Sequence, residues 1–87
     1  MKVKEGFVLG EVGGQNVVIP VGAASNTFNG MIKLNETGTF LWNQLQKEIT
    51  EEELVQALAE KYDVDASQAT QDVQSFIEIL KKPGVIE

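Results

Sequence analysis

The chain has 87 residues and a formal net charge of −6, with seven lysines against thirteen acids, and 43% of its residues are hydrophobic. A chain of this length is expected to form a single domain, residues 1–87, burying roughly 60–65% of its unfolded surface and leaving little room for a large enclosed active site. Cysteine, histidine and arginine are all absent, which removes disulfides, thiolate ligands, the commonest general base and the residue best suited to bidentate phosphate contacts.

Phe7-Val8-Leu9 and Val17-Val18-Ile19 flank the pair Gly13-Gly14. Two β-branched runs around such a pair predict a hairpin, because glycine supplies the positive φ that tight primed turns require. Pro20 lacks an N–H and belongs at a strand end or on an edge. A loop over residues 22–27 is expected next, and Phe28-Asn29-Gly30 leads into a third strand of Met31, Ile32, Lys33 and Leu34. Alternation puts Ile32 and Leu34 on one face of that strand, and Met31 and Lys33 on the other. The strands thus span about residues 6–34, and the helices about 36–82.

The stretch from Leu34 to Trp42 joins the two halves. Leu34 closes the last strand, and Asn35 can accept backbone N–H bonds at the start of a helix over Glu36–Gln46. Leu34, Leu41, Trp42 and Leu45 fall on one stripe of it. Asn35-Glu36-Thr37 also matches a glycosylation acceptor, but the sequence carries no secretion signal and the helix cap is the better reading. Thr50-Glu51-Glu52-Glu53 forms a capping box between the staple residues Ile49 and Leu54, and opens a second helix that ends near Tyr62. Its three glutamates complement the helix dipole rather than forming a cation site.

Asp65-Ala66-Ser67-Gln68 repeats the capping logic for a third helix. Asp63, Asp65 and Ser67 have a faint calcium-loop spacing, but Gln68 replaces the glycine and Gln74 the bidentate glutamate, so that reading is rejected. The third helix places Ala69, Val73, Phe76, Ile77 and Leu80 on one face, with Ile79 off the stripe and a candidate for a second contact surface. Lys81 and Lys82 suit its negative end, Pro83-Gly84 stops it, and Val85-Ile86 should fold back onto the core. The resulting fold class is α+β: a three-stranded antiparallel sheet followed by a three-helix unit of winged helix-turn-helix type.

Catalytic signatures are lacking. Gly10, Gly13 and Gly14 have neither the spacing nor the following helix of a phosphate loop. Ser25, Ser67 and Ser75 have no motif that would pair them with a lysine, and Glu52 and Glu53 lie on an exposed helix start where burial cannot tune them. The expectation is a non-catalytic protein without cofactor or metal. The acidic balance argues against nucleic acid and against an anionic membrane surface. With no signal peptide and no apolar stretch of spanning length, the expected location is cytoplasmic.

The ordered series of residues carries a family likeness. Leu34-Asn35-Glu36-Thr37-Gly38 leading into Leu41-Trp42 and Leu45 resembles the first-helix signature of the PqqD family. These are the small proteins of pyrroloquinoline quinone synthesis and the related recognition domains of other peptide-modifying pathways. The likeness continues through Thr50–Tyr62 and ends with Asp72-Val73, Phe76-Ile77, Leu80 and Gly84-Val85-Ile86. It departs from the family pattern at Gln46-Lys47-Glu48, where a glycine-containing turn is usual.

The resemblance implies a protein that binds the leader segment of a ribosomally made precursor peptide and presents it to a modifying enzyme, often a radical S-adenosylmethionine (radical SAM) enzyme. It also implies that the peptide adds as a strand beside the third strand, in a cleft against the third helix. The implied strand is Met31 to Leu34 and the implied helix wall Asp72 to Leu80, with Met31, Ile32, Lys33 and Leu34 as contacts on the strand and Val73, Phe76, Ile77 and Leu80 as contacts on the wall. Core packing is the alternative for the helix residues, and a solvated edge position the alternative for Lys33. The rest of the stretch from Leu34 to Trp42 is expected to hold the edge in place rather than touch the ligand. Two other functions remain open: a winged-helix DNA-binding domain, which would want a lysine-rich third helix, and an oligomerising subunit. An exposed strand edge is compatible with a monomer or with a strand-exchanged dimer.

Overall fold

The computed structural model describes residues 1–22 and 31–86. Three strands, β1 (Phe7–Val12), β2 (Gln15–Pro20) and β3 (Ile32–Leu34), precede three helices, α1 (Glu36–Gln44), α2 (Glu51–Tyr62) and α3 (Ala66–Lys81). The α+β class expected from the sequence is the one observed. The expected strand lead-in at Phe28-Asn29-Gly30 and the loop over residues 23–27 lie outside the described residues.

The sheet is antiparallel with order β1-β2-β3. Gly13 and Gly14 connect β1 to β2 with φ of 60° and 81°, the left-handed pair that a type I′ hairpin turn needs. Register pairs Leu9 with Val18 and Gly10 with Val17, then Val17 with Lys33 and Val18 with Ile32. Pairing alternates faces, so Leu9, Val18, Ile32 and Leu34 turn to the core while Gly10, Val17 and Lys33 share the other face. Pro20 ends β2 opposite Phe7, where its missing N–H breaks no interior ladder bond. β3 is shorter than expected, since Met31 lies outside its pairing and is 56% exposed.

Each helix begins on the cap read from the sequence. Asn35 accepts the Gly38 N–H at 2.8 Å, and Asp65 accepts that of Gln68 at 2.8 Å. At α2 the Thr50 hydroxyl accepts the Glu53 N–H at 3.1 Å, and the Glu53 carboxylate accepts the Thr50 N–H at 3.0 Å, completing the box. The backbone N–H of Thr50 and then its hydroxyl hold the Glu53 carboxyl below the usual glutamate range. Asp63 closes α2 in the left-handed conformation, φ 53°, which explains its position beside Asp65 without a cation. α1 stops two residues earlier than expected, because the backbone leaves helical geometry at Leu45, φ −80° and ψ 3°, whose side chain is fully buried.

The C-terminus of α3 closes in a Schellman motif. The Gly84 N–H bonds Lys81 O at 3.0 Å, and the Val85 N–H bonds Leu80 O at 2.9 Å, with Gly84 at φ 82°. Val85 and Ile86 fold back as expected: both are buried, and Ile86 pairs with Val3 in an isolated antiparallel bridge. Lys4 N–H to Val85 O and Val3 N–H to Leu45 O seat the N-terminal segment between the helical unit and the tail. One contiguous core results, with Val18 and Leu34 from the sheet, Leu41, Trp42 and Leu45 from α1 and its end, Leu54 and Leu58 from α2, and Val73 and Leu80 from α3. Phe40 and Tyr62 meet edge-on at 5.8 Å between ring centres and lock α1 to α2.

Candidate functional site

β3 is an edge strand in the order β1-β2-β3, and it borders a cleft of about 590 Å³ whose other wall is α3. That volume lies within the range of small-ligand sites, although the cleft is open along its length. Ile32, Lys33 and Leu34 form the strand side, and Asp72, Ser75, Phe76 and Ile79 form the helix side. The four helix positions have spacings of three, one and three residues, so they lie on a single stripe along α3. The start of α1 closes one end through Asn35, Thr37, Gly38 and Leu41, and Gln15 reaches in from β2.

The floor is apolar and packed into the core. Leu34 is 8% exposed, Leu41 1% and Phe76 7%, so each is held by the core and offers only one edge to the cleft. Gly38 lets α1 come close to α3: a Cβ there would stand 3.4 Å from Phe76 Cε1 and 3.1 Å from Asn35 Oδ1. The rim is polar. Asp72 is partly buried and its carboxylate accepts a hydrogen bond from Gln68 Nε2 at 2.9 Å. Asn16 Nδ2 donates to Thr39 Oγ1 at 3.1 Å, which fastens β2 to the first turns of α1 behind the cleft.

The structure divides the residues singled out from the sequence. It brings Ile32, Lys33, Leu34 and Phe76 together on the cleft. Val73, Ile77 and Leu80 instead face the core, with 0%, 6% and 0% exposure. Met31 is exposed beside the cleft but does not line it. Ile79, off the core stripe and 53% exposed, does line it. Asp72 opens the helix stretch implied as the wall and Ser75 lies within it, but neither is among the contacts named there, although their spacing from Phe76 and Ile79 is visible in the sequence. Asn35, Thr37, Gly38 and Leu41 were expected only to support the edge, yet they too form cleft wall. Among the described residues, no group of acidic side chains is placed to hold a metal ion.

The model of the family described as coenzyme PQQ synthesis protein D (PqqD) matches residues 7–86. The chain belongs to the PqqD family. Its fold is also that of the solved structure described as TbiB1 in complex with the TbiA(beta) leader peptide, with a TM-score of 0.77 and 22% sequence identity over 100% of this chain and 95% of that one. At that identity the likeness speaks for the fold. No curated protein matches the chain significantly. The family match spans every strand and helix described above, so the cleft between β3 and α3 lies wholly inside the PqqD-like region. Among the described residues, no helix is long and apolar enough to cross a membrane.

Proposed function

We propose that this PqqD-family chain captures the leader segment of a ribosomally made precursor peptide and presents it to a separate modifying enzyme, of the radical S-adenosylmethionine type. The peptide adds as a strand along β3 and lays alternate side chains into the cleft against α3. The observation that carries this reading is that β3, at the edge of the sheet among the described residues, stands beside a preformed apolar floor. An edge offers main-chain N–H and C=O groups for affinity, and pockets beside it read alternate side chains. β1 is the other sheet edge among the described residues, but of the two edges only β3 lines the cleft, so β3 offers both backbone pairing and side-chain recognition.

TbiB1 was solved with a leader peptide, which supports the same class of ligand here. The role is non-catalytic, in keeping with a chain that contains neither histidine nor cysteine, and its place is the cytoplasm. α3 exposes Glu78 and lines the cleft with Asp72, while its lysines are confined to its C-terminal end, an arrangement that suits a peptide better than a duplex. The test is titration of the isotope-labelled chain with the leader of a precursor encoded beside its gene. Saturable shifts and slowed hydrogen exchange at the amides of Ile32, Lys33 and Leu34 are expected. Binding that leaves those amides unchanged overturns the reading.

A further inference from the structure

The strand and the helix that border the cleft carry opposite charges that do not meet. Lys33 stands at the β3 border, on the sheet face shared with Val17, and Asp72 on the α3 wall, yet among the described residues the only ion pair joins the N-terminus to Glu48. Asp72 is partly buried, and its described partner is the neutral amide of Gln68 at 2.9 Å. That bond fixes the carboxylate on the helix wall without neutralising it. A carboxylate without a counter-charge attracts any cation that reaches it.

Lys33 differs in direction. It pairs across the sheet with Val17, so it belongs to the face opposite Ile32 and Leu34. A strand added beside β3 alternates in the same way. Its residues on the Ile32 and Leu34 face enter the cleft and meet Phe76, Ile79 and Asp72, while the residue between them stands beside Lys33.

We infer that the cleft selects a peptide of defined charge order: a large apolar residue and a lysine or arginine two positions apart, both facing the cleft, with an acidic residue between them facing Lys33. The apolar residue covers Phe76 and Ile79, the base meets Asp72, and the intervening acid meets Lys33. The inference rests on strand addition at β3 and goes beyond it by stating what the strand must carry. The net charge of −6 favours the basic residue at long range, but only the placement of Lys33 and Asp72 on different faces fixes the alternation.

The test is a yeast-displayed library of random twelve-residue peptides, selected against the full chain. Enriched peptides are then made synthetically and titrated while the Ile32–Leu34 amides are followed. The expected winners carry the alternation, and replacing their base by glutamine weakens binding about fivefold. Against Asp72→Asn the same replacement has no effect, and selection against Lys33→Glu exchanges the intervening acid for a base. Winners that shift the Ile32–Leu34 amides but show no charge order, or whose base matters equally to Asp72→Asn, overturn the inference and leave strand capture standing. A selection whose winners never touch those amides overturns both.

Discussion

Ile79 and Val73 lie six residues apart on α3, and together they separate cleft from core. Ile79 lines the cleft and is 53% exposed, whereas Val73 is 0% exposed. Fully burying an isoleucine side chain contributes about 1.5–3 kcal/mol. A peptide that covers the exposed half of Ile79 should gain roughly half of that, and Ile79→Ala should therefore weaken binding about three- to tenfold. The half already buried contributes a similar amount to folding, offset by about 0.5 kcal/mol from the better helix propensity of alanine, so the folding cost stays under about 1 kcal/mol. Val73→Ala reverses the pattern: about 2–3 kcal/mol of stability is lost to a core cavity, with no change in affinity per folded molecule. Urea unfolding followed by Trp42 fluorescence, a probe 2% exposed in the folded state, gives the first quantity. Anisotropy titration of a labelled leader peptide gives the second. If Val73→Ala weakens binding in the folded protein and Ile79→Ala does not, the stripe assigned to the cleft is wrong.

Gly84→Ala meets no atom within 4 Å but must hold φ at 82°, so it should cost about 1 kcal/mol through backbone strain alone; thermal unfolding should show a midpoint lower by several degrees. Asp63→Gly relieves the left-handed φ of 53° at the end of α2 and should stabilise by about 0.5 kcal/mol in urea. Thr50→Ala removes the cap of α2 and should cost about 1 kcal/mol in the same assay. Because Thr50 holds the Glu53 carboxyl below its ordinary value of 4.5, the stability gap between the native chain and Glu53→Ala should be fully present above that pH. It should close as pH falls through the lowered folded-state value; a gap that instead widens on acidification contradicts the capping-box assignment.

What the sequence made legible was local chemistry. Asn35, Thr50 and Asp65 announce their helices because a cap is a contact within four residues, and Gly13-Gly14 and Gly84 announce their turns because each needs a positive φ. The core stripe of α3 was equally readable from its period. The division of α3 between two surfaces was not. Phe76 belongs to both stripes, whereas Val73, Ile77 and Leu80 face inward and Asp72, Ser75 and Ile79 face β3. Periodicity gives the phase of a stripe, but not which neighbour each stripe meets. That depends on where the sheet docks, a contact between residues some forty positions apart in sequence. The same limit explains why Asn35 to Leu41 read as mere support. Their local roles as cap and core were visible, while the cleft they border exists only once α3 folds back across them.

That double use of Asn35 to Leu41 ties the strand edge of the cleft to its helix wall. Asn35 follows β3 directly and caps α1, so the strand edge and the first turn of the helix are set by one residue: its Oδ1 accepts the Gly38 N–H at 2.8 Å and the Thr37 hydroxyl at 3.0 Å. Gly38, brought inward by that bond, lies where a Cβ would stand 3.4 Å from Phe76 and 3.5 Å from Leu34 Cβ. Strand edge, helix cap and helix wall therefore converge within one turn of chain. A ligand strand added at β3, as proposed above, would find its apolar floor already packed by the core, so that most of the ordering cost of binding would fall on the peptide. A Cβ at Gly38 would meet Phe76 and Leu34 at about ordinary contact distance, and its one tight neighbour would be the Asn35 Oδ1 that caps its own helix, at 3.1 Å, so the third position of α1 is narrowed chiefly by the cap.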